Sequence, residues 1–174
     1  MKKASHILLF IFIVFNATSC KFGGYSFTGA NLGTAKTFEV LAFQNYATQT
    51  PGSTFEPGLD RDFTRALQDL ILNQTSLSQK KINPDLLYEG EITEFRISPT
   101  TATADQTAAQ NRLTMTVNVR FFNNTKEDVD FEKRFSFFFD FDATSSFNSI
   151  RAAALEEIFE RLTQDIFNAS LADW

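Results

Sequence analysis

Two runs in the second half of the chain leave it little choice of fold. From Arg112 to Phe121 apolar and polar residues alternate without a break. Leu113, Met115, Val117, Val119 and Phe121 fall on one side, and Arg112, Thr114, Thr116, Asn118 and Arg120 on the other. A second run repeats the pattern with Phe131, Phe135, Phe137, Phe139 and Phe141 against Asp130, Glu132, Arg134, Ser136, Asp140 and Asp142. Period-two alternation is the mark of a strand with one buried face, because successive side chains point to opposite sides of a sheet. Asn123-Asn124 opens a turn between the runs, so they are expected to pair as an antiparallel hairpin. Lys133 interrupts the inward series, which places it near a sheet end.

The rest of the chain must supply a cover for that apolar face. Leu59, Phe63, Ala66, Leu67, Leu70 and Ile71 recur at helical spacing among Asp60, Arg61, Asp62, Arg65 and Asp69. A second helix is marked by Ile150, Ala154, Ile158, Leu162 and Ile166, flanked by Leu155, Phe159 and Phe167, and ends near Ala169. Thr37 to Gln44 reads as a strand apolar on both faces. Residues 45–58, with Pro51, Gly52, Pro57 and Gly58, read as a loop. Asp85 to Ile97 is a further strand whose apolar phase shifts from Leu86, Tyr88 and Ile92 to Phe95 and Ile97, which calls for a bulge near Thr93 or Gly90. Thr100 to Ala109, almost all Thr, Ala, Asp and Gln, is an exposed hairpin loop. The order is β-α-β-β-β-α. The expected architecture is α+β, a two-layer sandwich in which two helices cover one face of a four-stranded mixed sheet.

Phenylalanine, with 21 copies, is the natural core material. Burying one such ring is worth about 1.5–3 kcal/mol, and the chain has a single cysteine and so no internal disulfide. That cysteine stands at the end of a signal-like segment. Lys2 and Lys3 begin it, Ile7 to Phe15 is unbroken apolar sequence, and Ala17-Thr18-Ser19 precedes Cys20. A nine-residue run is too short for a membrane span, which takes about 20 residues. The segment resembles a bacterial lipoprotein signal, with an ordinary secretory signal as the alternative. The expected organisation is therefore a signal peptide at 1–19, a glycine-rich tether at 20–36 lipidated on Cys20, and a domain at 37–174.

Without residues 1–19, which hold Lys2, Lys3 and His6, 14 of the 16 basic residues remain against 21 acidic ones, a formal charge of −7. The mature chain has no histidine, which removes histidine-based catalysis, catalytic triads and the usual zinc sites. Its acidity argues against nucleic acid. No cofactor and no metal site is expected.

Taken in order, several stretches resemble the lipopolysaccharide-assembly lipoprotein E family, LptE, in its Bacteroidetes branch. They are Cys20 with Gly24-Tyr25-Ser26-Phe27-Thr28-Gly29, Phe38 to Asn45, Asp85 to Ile92, Asn111 to Asn123, Phe135 to Ala143, and the terminal Trp174. The resemblance implies a non-enzymatic outer-membrane lipoprotein that sits inside a large β-barrel, LptD, and assists delivery of lipopolysaccharide to the cell surface. Lys21 and Phe22 follow the cysteine with no acidic run, and with that the resemblance implies an anchor in the inner leaflet of the outer membrane, facing the periplasm. A luminal domain meets a polar wall, which the Thr/Asn/Arg face of the 112–121 run fits, as any wet sheet face would.

Three arginines on that face, Arg112, Arg120 and Arg134, are candidate contacts for the barrel or for a lipid phosphate. Cross-strand pairing of Arg120 with Asp130 or Glu132, according to register, would instead neutralise it. Two acid pairs, Asp140/Asp142 and Glu89/Glu91, allow a second reading as a carboxylate-dependent periplasmic enzyme. A lipid-anchored binding module is a third. The phenylalanine ladder is expected to be core, with a lipid groove between sheet and helices as the sharper version.

Overall fold

In the computed structural model the described residues are 30–100 and 110–172. Cys20, the signal segment, the tip of the expected hairpin loop and Trp174 lie outside them. The chain forms β1 (Thr37–Val40), β2 (Gln44–Asn45), a 3-10 turn (Ala47–Gln49), α1 (Leu59–Gln74), β3 (Ser78–Gln79), β4 (Leu86–Thr100), β5 (Gln110–Asn123), β6 (Phe131–Asp142) and α2 (Phe147–Leu171).

The sheet has six strands, in the order β3-β1-β4-β5-β6 with β2 also beside β4, and not the four expected. Two causes account for the difference. The Thr37–Gln44 strand is broken in two, and both pieces pair parallel with β4. Between them the backbone turns from β4 to α1: Phe43 N donates to Thr64 Oγ1 at 3.1 Å, and Gln68 Nε2 donates to the Val40 carbonyl at 3.2 Å. Phe43 is thereby driven into the core, 1% exposed, where its ring meets Phe63 edge-on at 5.0 Å. The other addition, β3, is two residues of Ser-Gln beside β1, with no apolar alternation to announce it.

The long strands follow the sequence pattern. β4, β5 and β6 are antiparallel, and β5 is paired along most of its length on both sides. The bulge falls at Thr93, where the β4–β5 register slips between Ile92 and Glu94 and restores Phe95 to the inner face. Both helices lie on that inner face. Phe38, Phe63, Tyr88, Phe121, Ile158, Leu162 and Ile166 are among the fully or almost fully buried side chains. Tyr88 reaches α2 through its hydroxyl, 2.9 Å from Ser170 Oγ, and burial pushes its pKa well up, so it stays neutral. The helix starts at a side-chain cap, Ser146 accepting from Ser149 N. Phe135 and Phe141 of the ladder are buried, while Phe131, Phe137 and Phe139 pack against the core from the edge strand. Lys133 lies in the inward register but is exposed on that edge, its ammonium 5.3 Å from the Phe135 ring. An edge lysine of this kind discourages pairing with other chains.

Gly90 is where the second part of the broken strand becomes possible. A Cβ there would collide with the Asn118 carbonyl oxygen and stand 2.8 Å from the Phe43 ring. Gly90→Ala is therefore expected to lower stability by about 1–3 kcal/mol, the usual cost of overpacking. Urea denaturation should show a lower midpoint at unchanged slope.

Candidate functional site

The face of the sheet away from the helices is open, and it gathers most of the charged residues singled out from the sequence. Register places Glu89, Glu91, Glu94 and Arg96 of β4 opposite Arg120, Asn118, Thr116 and Thr114 of β5. On the other side Glu132, Arg134, Ser136 and Asp140 of β6 stand opposite Arg120, Asn118, Thr116 and Arg112. Strand parity alone puts these side chains on one surface, and the Thr93 bulge keeps Glu94 on it beyond the phase shift.

Arg120 is held between strands. Its Nε donates to Glu89 at 2.8 Å and its Nη2 lies 3.1 Å from Glu91, while Glu132, its register partner, is 3.9 Å away. The expected neutralisation of Arg120 thus comes chiefly from β4. Hydrogen bonds from Arg120 to Glu89 and Glu91 hold the guanidinium pKa above its ordinary value. Glu91 responds in the opposite sense. Burial pushes its carboxyl up, but the Asn118 and Arg120 hydrogen bonds and the Arg120 charge outweigh it, and the net pKa is lowered.

Arg112 makes two parallel bonds to Asp140, Nε to Oδ1 and Nη2 to Oδ2, both 2.7 Å. Its guanidinium also lies over the Phe138 ring, 3.6 Å from the centroid. The hydrogen bonds from Arg112 hold the Asp140 carboxyl below its usual range. In the middle of the face Glu94, 8% exposed, takes Arg96 at 2.8 Å and the Thr116 hydroxyl at 3.0 Å. Arg134 reaches the same carboxylate only at 3.7 Å and its side chain is 65% exposed. Of the three candidate arginines it is the one with room to turn toward a ligand.

The two acid pairs do not form one site. Glu89 is opposite Arg120 and Asp140 opposite Arg112, and eight residues of β5 at about 3.4 Å each put them roughly 27 Å apart. Each pair stands on open sheet. Glu91 is lowered by Asn118 and Arg120, Asp140 by Arg112, and Asp142 by hydrogen bonds from the Thr144 side chain and backbone, the wrong direction for a general acid. Among the described residues no cluster of His, Cys, Asp and Glu could hold a metal ion, and no helix is long and apolar enough to cross a membrane. The carboxylate-enzyme reading is overturned. What sequence reasoning missed is Glu94 and Arg96, and the bulge that the phase shift announces was the signal that would have found them.

The family model for LptE, lipopolysaccharide-assembly, matches residues 35–170. The chain belongs to the LptE family. Its role is thus that of a lipopolysaccharide-assembly lipoprotein of the envelope, without enzymatic activity. No curated protein matched the sequence. Among solved structures, the protein CT253 of Chlamydia trachomatis is 9% identical with a TM-score of 0.51, over 78% of this chain and 98% of that one. A minor lipoprotein of Acinetobacter baumannii is 13% identical with a TM-score of 0.44, over 78% and 94%. PelC of Paraburkholderia phytofirmans, a dodecamer, is 11% identical with a TM-score of 0.44, over 78% and 93%. CT253 shares the fold; the other two are too distant to carry an argument.

The charge lattice of this LptE-family face has a pH signature. A carboxylate whose native pKa is depressed stabilises the fold above its unfolded pKa, and that contribution is lost as pH falls through the native value. Arg120→Met should cost about 1 kcal/mol at neutral pH. The gap from wild type should narrow as pH falls below the ordinary Glu91 value of 4.5. Urea titrations of both proteins across that range check it.

Proposed function

We propose that this protein is an outer-membrane lipoprotein, held by acyl chains on Cys20 and facing the periplasm, that docks within a large LptD-like β-barrel and assists delivery of lipopolysaccharide to the cell surface. The observation that carries the proposal is the open face of β4, β5 and β6. It is broad and polar, and its arginines are matched by carboxylates of neighbouring strands. Such a surface suits a hydrated luminal wall, since lumen-facing barrel residues are polar. An apolar face would suit a groove that extracts acyl chains, and the phenylalanine ladder expected to line one is spent on the core.

Within this proposal the three arginines divide. Arg112 and Arg120, tied to Asp140 and to Glu89 and Glu91, hold the shape of the contact surface. Arg134 presents the most exposed of the three guanidinium groups to the barrel wall or to a lipopolysaccharide phosphate. Within the expected 20–36 tether, Ala30 bridges to Ala172 and Asn31 N donates to the Leu171 carbonyl at 2.6 Å. The first described residues thus join the domain at the C-terminal end of α2, which packs on the inner side of the sheet.

Purification of the tagged protein in mild detergent should bring down one dominant large β-barrel protein at near-equal stoichiometry, and depletion should leave lipopolysaccharide short of the surface. Arg134→Glu should weaken co-purification while costing the isolated domain no more than about 0.5 kcal/mol, as exposed substitutions do. A protein recovered alone, with normal surface lipopolysaccharide after its deletion, overturns the proposal.

A further inference from the structure

The tether end of the sheet carries a second surface. There β3 passes to β4 through residues 80–85, Lys-Lys-Ile-Asn-Pro-Asp, and Ile82 at the tip of this loop is 75% exposed. An isoleucine standing so far out of a domain whose described residues bury 28 apolar side chains is not serving the core. The loop is nonetheless well fixed. Asn83 takes a positive φ of 49°, Lys80 Nζ donates to the Asn83 carbonyl at 3.1 Å, and Asn124 Nδ2 donates to the Pro84 carbonyl at 2.8 Å. At its base Asp85 accepts from Lys36 N and Thr37 N at 2.8 and 3.0 Å. That carboxylate is spent on backbone donors and its pKa is lowered by them, Lys36 first. Lys80 and Lys81 beside the tip and Lys36 at the base are all exposed.

An apolar side chain among lysines is the chemistry of a surface that meets phospholipid headgroups: the apolar group enters the interface and the ammonium groups lie against lipid phosphates. The position of the loop adds a second argument. Nine residues lie between Cys20 and Ala30, ten steps of the chain with a reach of at most about 36 Å when fully extended, and Ala30 leads into Asn31 to Thr34 at this same end of the sheet, beside Asn123. The acids of the neighbouring turn, Glu127, Asp128 and Asp130, belong to the β5–β6 side. The loop belongs to the β1–β4 side, and the entering segment, Asn31 to Thr34, lies beside Asn123, Thr125 and Lys126 of that turn.

We propose that the Lys80–Pro84 loop seats the domain on the phospholipid surface that holds its own anchor, with Ile82 entering among the headgroups and Lys36, Lys80 and Lys81 lying against their phosphates. The proposal rests on the reading of Cys20 as an acylated anchor. Its test uses the mature lipoprotein in vesicles of phosphatidylethanolamine and phosphatidylglycerol. An Ile82→Cys variant carries an environment-sensitive nitrobenzoxadiazole probe, acylation having blocked Cys20. Phe55→Cys, at a residue 59% exposed, carries the probe in the control. It adjoins Glu56, which holds Arg151 at 2.6 Å in the first turns of α2, at the opposite end from the tether. The expected result is a blue shift and a loss of aqueous quenching at position 82 and not at position 55, both abolished by adding Lys80→Glu and Lys81→Glu. A position-82 probe as quenchable as the control, on protein that floats with the vesicles, overturns the seat and leaves the anchor standing. Protein that does not float overturns the anchor, and the seat with it.

Discussion

Everything in this structure depends on the parity of β5. It is the strand paired with long antiparallel neighbours on both sides, and its alternation decides which side of the sheet is core and which is surface. Leu113, Met115, Val117, Val119 and Phe121 fix the inner face, and each carries with it a residue of β4 and one of β6 through the register. A slip of one residue would turn every charged side chain into the core. The Thr93 bulge allows β4 to obey that parity along its whole length, since strict alternation through Thr93 would point Phe95 to water and Glu94 to the helices.

The same parity builds the outer face, and there the design is electrostatic. Arg120 draws on two carboxylates from β4, Arg112 on one from β6, and Glu94 gathers Arg96, Thr116 and Arg134 around it. Exposed pairs of this kind contribute little to stability one at a time. Their consequence is order, because long side chains tied across strands present a fixed pattern of charge. The chain carries a formal charge of −5, and yet four of its eight arginines, Arg96, Arg112, Arg120 and Arg134, stand on this face beside carboxylates.

The fold was legible wherever one face of an element is buried and the other is wet. The β5 and β6 runs, the α1 stripe and the four-residue repeat of α2 all satisfy that condition, and the structure places them as their periodicity requires. The phase shift in β4 was legible for the same reason, and it located the bulge. What could not be read was local and tertiary in origin. The break between β1 and β2 is made by Thr64 and Gln68 of α1, which lie more than twenty residues away in sequence and take over backbone groups that a neighbouring strand would have held. The two residues of β3 have no pattern at all. In the candidate site, parity grouped Arg112, Arg120 and Arg134 on one face, but register decides their partners: Arg120 was expected to be answered by β6 and is answered first by β4.

A charge-matched face sets a limit on how this domain can hold a partner. Its arginines already have carboxylates, so in the proposed docking a luminal wall would gain little by offering more, and the contact would be left to shape, bridging water and a few adjustable groups such as Arg134. Interfaces of that kind are specific without being tight. In the proposed arrangement the acyl anchor makes up the difference, since confining domain and barrel to one membrane raises their effective concentration. Affinity would then reside largely in the lipid and orientation in the sheet, which lets the surface stay hydrophilic enough to share a water-filled lumen with a passing glycolipid.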